Sequence, residues 1–150
     1  MKPLIVLLLV FAFSLAINKI FRGNYEFALS GRIAMSVMLL FTAIAHFVFT
    51  KGMGMMLPDF IPYKMETIYL TGVLEIVAAL GLFIPSFRVI TAWLLIVFFI
   101  VILPANIYAA IKNINYQKGT FDGNGLTYLW FRIPLQILFI VWTYLSVIKD

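Results

Sequence analysis

The chain has 150 residues, 64% of them apolar and only 11% charged, with a net charge of +5; a soluble domain carries about 25% charged residues, and a water-soluble fold of this length has too little interior to hide so much apolar surface. The absence of cysteine and the single histidine, His46, exclude disulfides, thiol catalysis, cysteine-ligated iron–sulfur clusters, thiolate zinc, and bis-histidine haem or a three-histidine metal centre built from one copy. Lysines and arginines are scattered singly between apolar segments, so anionic lipid head groups, not nucleic acid, are the expected counter-charge.

Five apolar stretches follow in order, at residues 4–20, 31–50, 67–85, 87–111 and 130–148. Each is near the 20 residues with which a helix crosses about 30 Å of hydrocarbon. Runs such as Leu94-Leu95-Ile96-Val97-Phe98-Phe99-Ile100 do not alternate in polarity, which argues against a barrel. The first stretch, with Lys2, Ser14 and Ala16, loosely imitates a secretory signal. Its long apolar run and single basic residue favour a retained helix. The fold expected is all-α and transmembrane, a four-helix membrane bundle over 23–150 with one additional N-terminal transmembrane helix over 1–22.

Pro85-Ser86-Phe87-Arg88 makes the tightest connection, so the third and fourth segments should form a hairpin. The connection over 51–62, with Met53, Met55 and Met56, is apolar for a loop; it reads as an interfacial segment or a cover folded over the bundle end. Residues 112–127 hold Asn113, Asn115, Gly119, Asp122, Gly123, Asn124 and Gly125, the turn formers of a solvated loop. Tyr108, Tyr128 and Trp130 near segment ends read as interface anchors.

Of the polar residues in the apolar segments, five lie away from the segment ends or gather near one end and call for an account: His46, Glu75, Asn106, Arg132 and Gln136. An ionisable group near the centre of a spanning helix costs at least about 2.5 kcal/mol, so each needs a function, a partner or a route to the surface. Alternating helix directions and a rise of about 1.5 Å per residue place all five at one end of the bundle, the end holding the amino terminus, or at its centre. A shared polar cavity is the simplest expectation. Thr71, Gly72, Glu75, Ala78 and Ala79 form a small-residue face that turns the acid toward protein. Pro104 should kink the fourth helix just before Asn106.

Each has a plainer role open to it. Glu75 is neutralised by protonation or paired with Arg132; His46 bonds a neighbouring helix through Thr42 or a carbonyl; Asn106 and Gln136 are interhelical glue; Arg132 snorkels to the surface as an anchor.

Four ordered stretches carry a resemblance: His46-Phe47, Gly72-Val73-Leu74-Glu75, Pro104-Ala105-Asn106-Ile107-Tyr108 and Arg132-Ile133-Pro134-Leu135-Gln136. Together they resemble the DoxX-like family of small bacterial membrane proteins over about 30–148. Thr50 stands where that family often has a proline. The resemblance implies a four-helix membrane unit and, for some members, association with quinone-linked or thiol-stress oxidoreductase complexes.

Two functions are weighed, since no nucleophile triad, metal constellation or nucleotide loop marks a stand-alone enzyme. One is an accessory subunit of an oxidoreductase system in the bacterial inner membrane that binds a quinone or similar amphiphile. His46 and Asn106 would bond the head group, Glu75 would exchange a proton, Arg132 would hold Glu75 or an anion, and Gln136 would line the same site. No other cofactor is implied. The other is a non-enzymatic transport or membrane-organising protein in which the same cluster stabilises the bundle. Basic residues divide almost evenly between the two ends, and the group Lys19, Arg22 and Arg32 favours its own end as cytoplasmic over the end holding Lys51, Lys64, Lys112 and Lys118.

Overall fold

The computed structural model describes residues 2–115, 119–123 and 125–148. Lys118, Asn124 and Lys149 lie outside the described residues, as do the side chains of Lys2 and Tyr128. The described chain is all-α: α1 (Lys2–Arg22), α2 (Phe27–Val48), α3 (Thr50–Met55), α4 (Lys64–Gly81), α5 (Arg88–Val101), α6 (Leu103–Ile111) and α7 (Leu129–Thr143). A 3-10 turn over Gly125–Tyr128 precedes α7, and a π-helical turn over Tyr144–Ile148 follows it.

Four helical stretches are long and apolar enough to cross a membrane: Pro3–Arg22, Phe27–Val48, Arg88–Ile111 and Gly125–Ile148. The third apolar segment becomes α4, which is not among them. Its 18 residues start at Lys64 and include Glu66 and Glu75, so its charge content separates it from the other four.

α2 and α4 form the heart of the packing. The buried residues of α2 include Met35, Met38, Leu39, Ala43 and His46, and those of α4 include Ile68, Gly72, Glu75 and Ala79. Both sets recur at three- and four-residue steps, the spacing of a single helix face. Small residues bring the backbones together: a Cβ at Gly72 would sit 2.9 Å from the Cβ of His46. Farther along, the Ser36 hydroxyl donates to the Ala79 carbonyl at 3.0 Å. The small-residue face read around Glu75 is thus the face α4 turns to α2.

α5 and α7 complete the core with Ala92, Leu95, Phe99, Leu135 and Phe139. Leu7 of α1 is fully buried in the same cluster, and Asn18 of α1 donates to the Ser30 hydroxyl of α2 at 3.1 Å. The tight turn after α4 is present, and the Arg88 Nε donates back to the Leu82 carbonyl across it at 3.3 Å.

Two expectations change. Pro104 does not merely kink one long helix; the helix is interrupted at Ile102 and restarts as α6 with the proline in its first turn, where its missing N–H is tolerated. The connection after α2 is also not all loop. It begins with the short helix α3, and Tyr63 at φ 53° turns the chain into α4.

Candidate functional site

All five polar residues, His46, Glu75, Asn106, Arg132 and Gln136, line one cavity of about 430 Å³, within the roughly 300–1,000 Å³ typical of ligand pockets. It lies where α2 ends, α4 and α7 begin and α5 gives way to α6. Pro3 near the start of α1 also reaches it. Most of the wall is apolar, with Leu39, Phe98, Phe99, Leu135 and Phe139 on the core side. Met53, Met56 and Leu57, from α3 and the residues after it, also line the cavity.

The polar groups fall into two sets. The first is an acid–imidazole pair between α2 and α4. Nε2 of His46 lies 3.3 Å from Oε2 of Glu75, with side chains 9% and 7% exposed. The Thr42 hydroxyl is 3.1 Å from the same carboxylate oxygen. On the other side of the ring, Nδ1 donates to the Ile68 carbonyl at 3.2 Å and lies 3.0 Å from the Thr71 hydroxyl. The Thr50 hydroxyl caps the His46 carbonyl at 2.7 Å. Every polar atom of the imidazole is thereby engaged.

The second set is unsatisfied. Nδ2 of Asn106, Nε of Arg132 and Oε1 of Gln136 are buried without a hydrogen-bond partner. Asn106 and Gln136 are 6% and 3% exposed. A buried polar group left without a partner costs about 1–3 kcal/mol, and several converging on one cavity mark a place where a ligand would restore the bonds.

The pairing of Glu75 with Arg132 expected from the sequence is not formed. No carboxylate among the described residues lies within ion-pairing distance of Arg132, and Glu75 is taken by His46 instead. Thr42 reaches Glu75 and not His46, whose carbonyl partner is Ile68. Thr71, read only as part of a small-residue face, fixes the ring, and the aromatic wall of Phe98, Phe99 and Phe139 was not singled out. Spacing from Leu95 and Leu135 could have placed Phe99 and Phe139 inward. Among the described residues no group of three or more histidine, aspartate or glutamate side chains is placed to hold a metal ion.

Residues 35–147 match a family described as a domain of unknown function (DUF8561). The chain belongs to this family. The matched region contains all five cavity residues and starts within α2, so α1 lies outside it. Neither the curated proteins nor the solved structures contain a match.

Proposed function

We propose that the chain is a multi-pass protein of the bacterial inner membrane, with membrane lipids around it, whose cavity holds a quinone-like amphiphile as an accessory subunit of an oxidoreductase system. The outward faces of the helices suit lipid: Ile90, Leu94 and Val101 of α5 are 60–65% exposed, and apolar residues in that position are ordinary against hydrocarbon. One observation carries the ligand. An apolar cavity of head-group size is edged by two unpartnered donors, at Asn106 and Arg132, and one unpartnered acceptor at Gln136. Quinone carbonyls accept and quinol hydroxyls donate, so such a head group answers all three. The direct contacts fall to Asn106, Arg132 and Gln136, because both nitrogens of His46 are already engaged. His46 and Glu75 supply a proton-holding wall. The kinship with DoxX-like proteins belongs to this reading and rests on the four ordered motifs, all within 35–147.

Purification in mild detergent followed by mass spectrometry of the extracted lipids tests the reading. A stoichiometric quinone, depleted in an Asn106→Leu, Gln136→Leu variant, is the expected result. A preparation whose bound lipids match the bulk membrane in both proteins would overturn it.

A second reading keeps the cluster structural, in a transport or membrane-organising protein. It is favoured by the self-sufficiency of His46, Glu75, Thr42 and Thr71, which bond one another across α2 and α4. It leaves the Asn106, Arg132 and Gln136 atoms without an account.

A further inference from the structure

The charge balance of the cavity narrows the class of occupant. Among the described residues lining it, the titratable groups are His46, Glu75 and Arg132. Nδ1 of His46 faces the Ile68 carbonyl oxygen at 3.2 Å; that oxygen can only accept, so Nδ1 carries a hydrogen. The Thr71 hydroxyl is consistent with this, since its own proton goes to the same carbonyl at 2.9 Å. Nε2 meets Glu75 Oε2 at 3.3 Å. A nitrogen lone pair and an oxygen lone pair at that distance repel unless one proton lies between them. The pair is then imidazolium with carboxylate, or imidazole with carboxylic acid, and both forms are neutral as a unit.

Arg132 stays charged at any physiological pH and has no carboxylate within ion-pairing distance among the described residues. The cavity therefore holds one uncompensated positive charge in apolar surroundings. Beside it are the unpartnered amide hydrogens of Asn106 and the unpartnered carbonyl of Gln136. Arg132 as a residue is partly buried, but its Nε is buried with no hydrogen-bond partner, so what the cavity lacks is a single negative charge on a group that accepts hydrogen bonds.

We infer that the head group bound in this cavity is a monoanionic oxyanion, a phenolate, enolate or carboxylate on an apolar tail, held by Arg132 and Asn106, with a neighbouring hydroxyl given to Gln136. The inference rests on the amphiphile reading of the same cavity and adds the charge of the ligand to it. Arg132 is the specificity-determining residue, because a neutral quinone would leave its charge uncompensated.

Equilibrium binding of three probes to the full chain in neutral detergent micelles tests this. They are a decyl-1,4-naphthoquinone, its acidic 2-hydroxy analogue, which is an oxyanion at neutral pH, and dodecanoate. The hydroxy analogue should bind about tenfold or more tighter than the parent, the gain of a charge-assisted hydrogen bond. Arg132→Gln should abolish that preference, and Arg132→Lys should keep part of it. The comparison on the unmodified chain stands even if a variant fails to fold. Should dodecanoate bind as tightly as the hydroxy analogue, with the same dependence on Arg132, the oxyanion inference holds and the quinone reading falls. Equal binding of the two quinones overturns the inference and leaves the quinone reading standing. Failure of all three probes overturns both.

Discussion

His46 and Glu75 act as one buried unit, and removing either leaves the other buried without its partner. Breaking a buried pair this way costs about 3–5 kcal/mol, much more than the pair contributes relative to an apolar replacement. His46→Ala and Glu75→Ala should each destabilise the protein in denaturant titrations in detergent, with the double variant losing less than the sum. A coupling of about 0.5–3 kcal/mol is expected for contacting residues, and a smaller one between Glu75 and Arg132. A larger coupling to Arg132 would contradict the observed pairing. Arg132 has the opposite signature: its Nε is buried and unpartnered, which the proposed function accounts for with a bound head group. Arg132→Gln should leave apo stability within about 0.5 kcal/mol of the parent or raise it, the usual result when a strained functional group is relieved. A loss of several kcal/mol would assign Arg132 a structural partner. The sequence made the identities of these residues legible because charge inside an apolar run is conspicuous. Their partners were not legible: counting turns gives depth along each helix but not rotation about its axis, and depth alone leaves Glu75 as close to Arg132 as to His46.

Among the elements, what decides that pairing is the approach of α4 to α2 at Gly72. Any Cβ there would meet the Cβ of His46 at 2.9 Å and the ring of Phe47 at 3.2 Å. The first obstacle is fixed to the α2 backbone, so the helices must separate. Gly72→Ala should destabilise by about 1–3 kcal/mol through overpacking, despite the better helix propensity of alanine. Gly54→Ala in α3 is the matched control, because its Cβ would meet only Lys64 Cβ at 3.7 Å, an ordinary contact. If both variants melt alike, close approach at Gly72 is not what holds α2 to α4. The small-residue face around Glu75 was readable because helices pack through such faces. The helix α3 was not, since six residues with two glycines carry no periodic signal. The break at Ile102 shows a similar limit: Pro104 announces lost hydrogen bonding, but whether a helix bends or restarts depends on what packs beneath it.

At the scale of the whole molecule, the number of crossings hangs on α4, the one long helix whose charge content sets it apart from the four apolar stretches. Gly72 lies against His46, and Ser36 bonds Ala79, so ten residues of α2 run antiparallel to seven of α4, a shared length of roughly 10–15 Å. A helix laid along α2 occupies the same depth, and 18 residues rise about 27 Å, close to the hydrocarbon thickness. The charges do not oppose this. Glu75 is paired with His46, Lys64 stands at the first turn beside Asp59 at 3.2 Å, and Glu66 is exposed in that same first turn. In the proposed membrane setting α1, α2, α4, the α5–α6 pair and α7 therefore make five passes and leave the termini on opposite sides. Reporter fusions at each end should report different compartments, and matching reports would remove one pass. Orientation follows from Lys19, Arg22 and Arg32, which gather at the α1–α2 connection and the start of α2 and favour that end as cytoplasmic. Asp59, with a side chain 94% exposed, lies at the other end. Because the chain has no cysteine, an Asp59→Cys variant carries a single thiol. An impermeant maleimide should label it in intact cells, whereas labelling only after lysis would reverse the orientation while leaving the five passes in place.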